Sequence, residues 1–328
     1  QLLAELAAEI DWSAARTLAS GSESPIREFV SKAVAGDGSP RAAERRGKRR
    51  KRAVLFGYGH YAKTNILPNV HRHIDVAAIH EVDPTQIPPD LAGANSWDTS
   101  PHARAEEDYE VFLIAGFHHT HAPLAVAALE RGAFAVVEKP LTVDRAQLGQ
   151  LLSAMESRKA GFFGCFHKRY SPLNDYAILD LRQSPEQPID YHCIVYEVPL
   201  PDFHWYRWQN SKSRLISNGC HWIDHFLYLN GYKEVESIEL GASPSGTIQC
   251  SATLKNGAYF TMTLTEKGSP RIGLQDYVEL RAGEITARIV NNSSYLAQGR
   301  SRVLRRVSVN KLGTYRDMYR TIAEGIAR

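Results

Sequence analysis

A chain of 328 residues exceeds what one hydrophobic core usually fills, so two domains are the expectation. Hydrophobic residues at 43% and charged residues at 23% exclude a fibrous or wholly disordered chain, and no apolar run approaches the roughly 18 residues of a membrane span. The net charge of +3 is local: positions 41–52 hold eight Arg or Lys against one acid, a patch of +7, and the rest of the chain carries −4.

In chain order, Leu2, Leu3, Leu6, Ile10, Trp12 and Leu18 stand at helical spacing, and Ser24-Pro25 supplies an N-cap and a first-turn proline. Residues 1–40 therefore read as a short helical N-terminal extension. The acids of QLLAELAAEIDW do not suit a secretory leader, so a cytoplasmic protein is expected. The basic stretch 41–52 follows Gly36, Gly38 and Pro40 and contains no aromatic for base stacking. It reads as a solvated linker rather than a nucleic-acid contact.

From 53 to about 160 strands and helices alternate: strand 53–56, helix 60–70, strands 75–80 and 111–115, helix 122–131, strand 133–138, helix 144–158. That rhythm predicts a doubly wound parallel sheet of Rossmann type over 53–165. Period-two segments then take over, at 190–198, 247–254, 259–266 and 277–281, with helices near 219–230 and 314–327. The fold class is thus α/β, with a C-terminal α+β domain over 166–328 built on a large, mostly antiparallel sheet for substrate binding and oligomerisation. Outward apolar positions such as Ile248, Tyr259 or Thr261 point to a homodimer or homotetramer.

Gly57-Tyr58-Gly59-His60-Tyr61-Ala62 fits G-x-G-x-x-A between a strand and a helix. Gly57 permits the tight turn, Gly59 lets the backbone approach a pyrophosphate, and Ala62 keeps helix and sheet close. Glu81 ends the second strand 22 residues beyond Gly59, where an acid binds the adenosine ribose and repels a 2′-phosphate. NAD is therefore expected over NADP, with Asp83 as the alternative acid.

Lys139 stands in Glu138-Lys139-Pro140 at the carboxyl edge of the sheet, where ligands bind. In 219–229 the residues His221, Asp224, His225 and Tyr228 share one helical face, a polar stripe on an otherwise apolar helix, and such a stripe suits a lined site. Asp224 either orients an imidazole, binds a substrate hydroxyl, or makes a plain salt bridge. The segment from Asp202 through His204 and Trp205 to Trp208 joins aromatics to polar donors, as sugar-ring stacking or an aromatic core loop would require. Arg207, Lys212 and Arg214 are nearby candidates for an anion. Zinc at the paired histidines, with His118, His119 and His121, is the lesser alternative, since no HExxH accompanies them; no metal site is expected. Cys165, Cys193, Cys220 and Cys250 form no CxxC and read as buried thiols.

Taken together, AVLFGYGHYA, VFLIAGFHHTHAPLAVAALERGAFAVVEKPL, GFFGCFHKRYSPL and SNGCHWIDHFLYLNG resemble the Gfo/Idh/MocA oxidoreductase family over about residues 53–265. The resemblance implies hydride exchange between a nicotinamide and a secondary hydroxyl or ketone of a sugar, nucleotide sugar or cyclitol. It implies that Lys139 touches nicotinamide ribose and substrate and that His221 accepts the proton. Cofactor contacts are implied at Gly57, Gly59, His60, Tyr61, Ala62, Glu81, Ala115, Gly116, His118, His121, Glu138, Lys139 and Pro140. Substrate contacts are implied at Lys168, Arg169, Tyr170, His204, Trp205, Asp224 and His225. Two departures stand out: Ser217 occupies the place of a family aspartate, and Gly116-Phe117 replaces the usual Thr-Pro. An NAD-dependent glycosidase and a non-catalytic NAD-binding regulator are the alternatives, and neither nucleic acid nor membrane is expected as a partner.

Overall fold

The computed structural model describes residues 49–87, 96–157, 161–182, 184 and 186–328, so the expected extension and most of the basic stretch lie outside the described residues. Six strands, β1 (Lys51–Phe56), β2 (Ile74–His80), β3 (Ser96–Asp98), β4 (Val111–Ile114), β5 (Phe134–Glu138) and β6 (Phe162–Cys165), form a sheet in the order β3-β2-β1-β4-β5-β6. All neighbours are parallel. The central strands, VFLI of β4 above all, are apolar on both faces because both faces are covered. β1 starts two residues inside the stretch read as linker: Lys51 and Arg52 pair with Ile74 and Asp75, and Glu110 accepts from the Arg52 N–H at 3.0 Å.

The helices are a π-helical turn Ala62–Ile66 running into α1 (Leu67–Val70), then α2 (His121–Glu130), α3 (Arg145–Ser157), α4 (Leu173–Leu181), α5 (Cys220–Leu229) and α6 (Gly313–Ala327). α2 and α3 cover one face of the parallel sheet, through Leu124, Ala128, Leu129 and Leu151. The other face is covered in part from the far end of the chain. Met318, Tyr319, Ile322, Ala323 and Ile326 of α6 pack with Ala53, Leu55, Ile66 and Leu113. The spacing is that of one apolar helical stripe, and each large side chain so buried contributes roughly 2 kcal/mol. α6 lies in the stretch expected to form the second domain, and its apolar stripe packs on the first sheet.

The second sheet runs β14-β13-β12-β11-β7-β10-β9-β8, with β7 (Asp190–Tyr196), β8 (Val235–Ala242), β9 (Ile248–Leu254), β10 (Tyr259–Thr265), β11 (Gln275–Ala282), β12 (Ile285–Val290), β13 (Ser294–Gln298) and β14 (Val303–Ser308). Neighbours are antiparallel except β7 with β10. α4 and α5 close its inner face around Trp222, Phe226, Tyr191 and Phe260. Its outer face carries the exposed Ile194, Tyr259 and Tyr277. Ile248, expected outward, is buried in the inner core because it pairs with the equally buried Leu264.

Among the described residues no helix is long and apolar enough to cross a membrane.

Candidate active site

In the strand order found here the topological switch lies between β1 and β4, where chain crossovers diverge and leave a crevice at the strands' carboxyl ends. Gly57 leaves β1 at φ 92°, and a Cβ there would lie 2.6 Å from the Ala115 carbonyl oxygen, so only glycine lets the two strand ends approach. Gly59 is different: a Cβ on it would meet nothing within 4 Å. That open backbone is the cradle a dinucleotide's pyrophosphate needs. Ala62 is buried against the sheet, and His60 is exposed beside the loop. Glu81 accepts from the Tyr58 N–H at 2.6 Å and the Asp83 N–H at 2.9 Å, which fixes a carboxylate under the loop. Asp83 instead accepts from Thr85, capping the short turn Pro84–Gln86. These residues fit NAD.

A cavity of about 270 Å³ continues from this crevice toward the second sheet. Ala115, Gly116, His118, His121, Glu138 and Lys139 line it from the Rossmann side, Asn218, His221 and Trp222 from the start of α5, and Trp205 and Tyr206 from the loop that precedes it. The Lys139–Pro140 peptide is cis, and the Lys139 ammonium donates to the Ser217 carbonyl at 3.1 Å and lies 5.8 Å from the Tyr206 ring. Burial opposes the charge on Lys139, but the groups around it, Tyr206, Cys220 and Glu138, prevail and hold its pKa above the usual lysine value. The π-helical turn Leu215–Gly219 presents that carbonyl. A backbone oxygen thus holds the lysine where the resembling family has an aspartate. Glu138 is held by the hydroxyls of Tyr61, at 2.9 Å, and Tyr319.

His221 is buried, and among the described residues its Nδ1 has no hydrogen-bond partner. Burial first, then His167, Lys139 and Lys168, push its pKa well below the usual histidine value, so the ring is neutral near neutral pH. His118 has the same character, an orphan Nδ1 and a pKa lowered to about 2 chiefly by burial. His121 is a brace: its ring nitrogens lie 2.8 Å from the Pro140 carbonyl and 3.1 Å from that of Gly116. Phe117, in place of the usual proline, packs against Trp205 and Trp208 at centroid distances of 5.3 and 5.2 Å and so ties the aromatic loop down over the crevice.

The expected stripe on α5 divides. His221 faces the cavity, but Asp224 pairs with Arg169, and His225 lies between Tyr191 Oη at 3.0 Å and Asn174 Oδ1 at 2.8 Å. Asp224, His225 and Arg169 are therefore core network rather than substrate contacts. Tyr170 packs on the Rossmann core, and His204 caps its own turn by accepting from the Tyr206 N–H. Of the substrate positions, Lys168 and Trp205 reach the cavity. The anion candidates do not: Arg207 donates to the Leu200 carbonyl and Arg214 pairs with Glu197. Among the described residues no group of three metal-ligating side chains occurs.

Sequence reasoning missed His167, Asp276, Lys311 and Tyr315, all of which line the cavity. The His167 ring stacks on Tyr315 at 4.1 Å and lies edge-on to His221 at 4.6 Å. A signal existed for Asp276 alone: in QDYVELRA it shares its strand face with Val278 and Leu280, and an acid on a buried face needs a partner. That partner is Lys168, at 2.5 Å.

The family described as oxidoreductase family, NAD-binding Rossmann fold, matches residues 51–163. The uncharacterized oxidoreductase YdgJ of Escherichia coli (strain K12) is 31% identical over 120 residues, which are 36% of this chain and 34% of that protein. The chain thus spans about a third of that curated relative's length. Among solved structures, levoglucosan dehydrogenase in complex with NADH and L-sorbose is 18% identical with a TM-score of 0.66, over 85% of this chain and 91% of the other. KijD10, a 3-ketoreductase from Actinomadura kijaniata in complex with NADP and TDP-benzene, is 15% identical with a TM-score of 0.69, over 85% and 90%. The WlbA dehydrogenase of Bordetella pertussis, in complex with NADH and UDP-GlcNAcA, is 16% identical with a TM-score of 0.64, over 85% and 84%. At these identities the structures attest the fold. Residues 51–163 thus match the Gfo/Idh/MocA oxidoreductase family's NAD-binding Rossmann fold, and the likeness to the solved structures extends the shared fold over most of the chain.

Proposed function

We propose that this protein is an NAD(H)-dependent dehydrogenase or reductase that interconverts a secondary hydroxyl and a ketone on a sugar, nucleotide sugar or cyclitol. One observation carries the reading: a charged lysine and a neutral histidine line a single cavity that opens from the dinucleotide crevice. The ligands named for the similar structures, L-sorbose and UDP-GlcNAcA among them, support the substrate class.

Bound NAD(H) supplies the two-electron acceptor or donor. The chain's own groups handle the proton and the charge. The neutral His221 ring accepts the proton of the substrate hydroxyl during oxidation and returns it during reduction. The Lys139 ammonium, fixed by the Ser217 carbonyl, stabilises negative charge developing on the same oxygen, a contribution of several kcal/mol in a water-poor site. Because that carbonyl already positions Lys139, the serine at 217 is compatible with turnover and weighs against a purely regulatory role. Trp205 and Tyr206 wall the substrate and exclude water. Four free thiols, three of them buried, support a reducing, cytoplasmic setting. The exposed Ile194, Tyr259 and Tyr277 on the outer face of the second sheet support contact between copies of the chain.

Two measurements test the reading. Calorimetric titration should show NAD(H) binding at least about tenfold more tightly than NADP(H), a gap of ~1.4 kcal/mol attributable to Glu81. Absorbance screening of cyclitols, aldoses and nucleotide sugars should then find NADH formation. Tight NADH binding with no turnover on any of them would favour the regulatory alternative, and aryl-glycoside cleavage without net NADH the glycosidase.

A further inference from the structure

Three ammonium groups line the cavity, those of Lys139, Lys168 and Lys311, against two carboxyls, Glu138 and Asp276. Glu138 is already engaged by two tyrosine hydroxyls, those of Tyr61 and Tyr319, on the Rossmann side of the cavity. Asp276 is engaged through one oxygen, Oδ2, by Lys168 at 2.5 Å and by the Trp222 indole at 2.9 Å. The four histidines of the cavity, at 118, 121, 167 and 221, have lowered pKa values through burial and add no charge of their own. A positive surplus therefore remains. Lys139 is committed to the reacting oxygen. Lys311 is not: its ammonium donates to the Leu274 carbonyl at 3.1 Å, and among the described residues it has no carboxylate within ion-pair distance. An ammonium has three donors, and among the described residues one of these is engaged.

Lys311 sits in the turn between β14 and α6, its charge felt by both Asp276 and His167, so it belongs to the wall that faces the substrate rather than to the dinucleotide loop. A neutral polyol gains nothing from such a surplus, whereas an anion is both steered and held by it. We infer that the substrate carries an anionic group, a carboxylate or a phosphate, and that Lys311 is the residue that recognises it. The inference deepens the oxidoreductase reading and rests on it. Lysine rather than arginine at this place fits a point-charge contact to either anion, made at an accessible edge of the cavity.

Titrations separate the parts. With the full-length chain saturated with NADH, D-glucuronate, D-glucose 6-phosphate, D-glucuronamide and D-glucose are titrated in turn by calorimetry. One of the two anions is expected to bind at least about tenfold more tightly than its neutral counterpart, and which one does so distinguishes carboxylate from phosphate. Lys311→Gln should abolish that preference and Lys311→Glu should reverse it, while NADH affinity stays unchanged in both. Since Lys311 is exposed, neither change threatens the fold. Equal binding of anion and neutral sugar, failure of both anions to bind, or a preference that survives Lys311→Gln overturns the inference. If NADH itself fails to bind, it is the dinucleotide reading that falls, and the same sugar titrations without NADH still decide the role of Lys311.

Discussion

His221 owes its neutrality to its surroundings: the ring is out of water, and the nearest charges, Lys139 and Lys168, share the sign it would acquire. A neutral imidazole beside a persistent ammonium divides the work at one oxygen, since one group takes the proton and the other stabilises the charge left behind. His221→Ala and Lys139→Ala should each lower kcat by roughly 10²-fold or more in steady-state assays. NADH affinity should stay within a few-fold for His221→Ala. Unchanged turnover in His221→Ala would transfer the role to His167, its edge-on neighbour. Lys139 and His221 were legible because their motifs are local. Asp224 and His225 were misread, because helical spacing shows which residues share a face but not what that face meets. Lys311 and Tyr315 carried no signal at all, because only tertiary folding brings residues so far down the chain to a site begun at Gly57.

At the scale of elements, the glycine loop offers a clean separation of folding from binding. Gly57→Ala places a Cβ against the backbone at Ala115 and in a left-handed conformation, so thermal melting should fall by several degrees. Gly59→Ala meets no protein atom, so the melting temperature should hold while NADH affinity drops about tenfold or more, as read by fluorescence titration. If Gly59→Ala binds NADH normally, the loop is a structural turn only. The alternation of strand and helix made the parallel sheet readable, for each crossover is written in contiguous residues. Helix α4 and strands β3, β6, β8 and β12 to β14 escaped notice, and the one parallel pair in the second sheet, β7 with β10, depends on long-range register that no local period encodes.

For the whole molecule, five buried imidazoles set a common acid limit. His121 and His225 have pKa values lowered to about 4 and about 3, His118 to about 2, and those of His167 and His221 are also well below normal. Unfolded imidazoles take up protons near pH ~6.5 while the folded ones refuse them, so the unfolded state binds more protons below that pH. Stability should therefore be level above it and fall by about 1.4 kcal/mol per pH unit for each such histidine as the pH drops further. Urea midpoints measured from about pH 7.5 to about pH 5 should show this slope, and a flat profile would mean that the rings are hydrated. Contact through the exposed Ile194, Tyr259 and Tyr277 on the outer face of the second sheet should register as a light-scattering mass of two or four chains at micromolar concentration, and Ile194→Glu with Tyr259→Glu should reduce it to one. A wild type that scatters as a single chain would refute the assignment of that face.

The packing of α6 on the first sheet also has a meaning in time. The strand that opens the Rossmann domain is made early, whereas the helix that completes its apolar cover follows roughly 260 residues later. At ~5–20 residues per second a ribosome needs about 10–50 s to cross that interval. During that time Leu55, Ile66 and Leu113 wait without their partners, and Glu138 without the Tyr319 hydroxyl. The exposed face of the nascent Rossmann sheet must therefore be shielded from aggregation until α6 emerges, and the dinucleotide site matures only once translation has passed Tyr319.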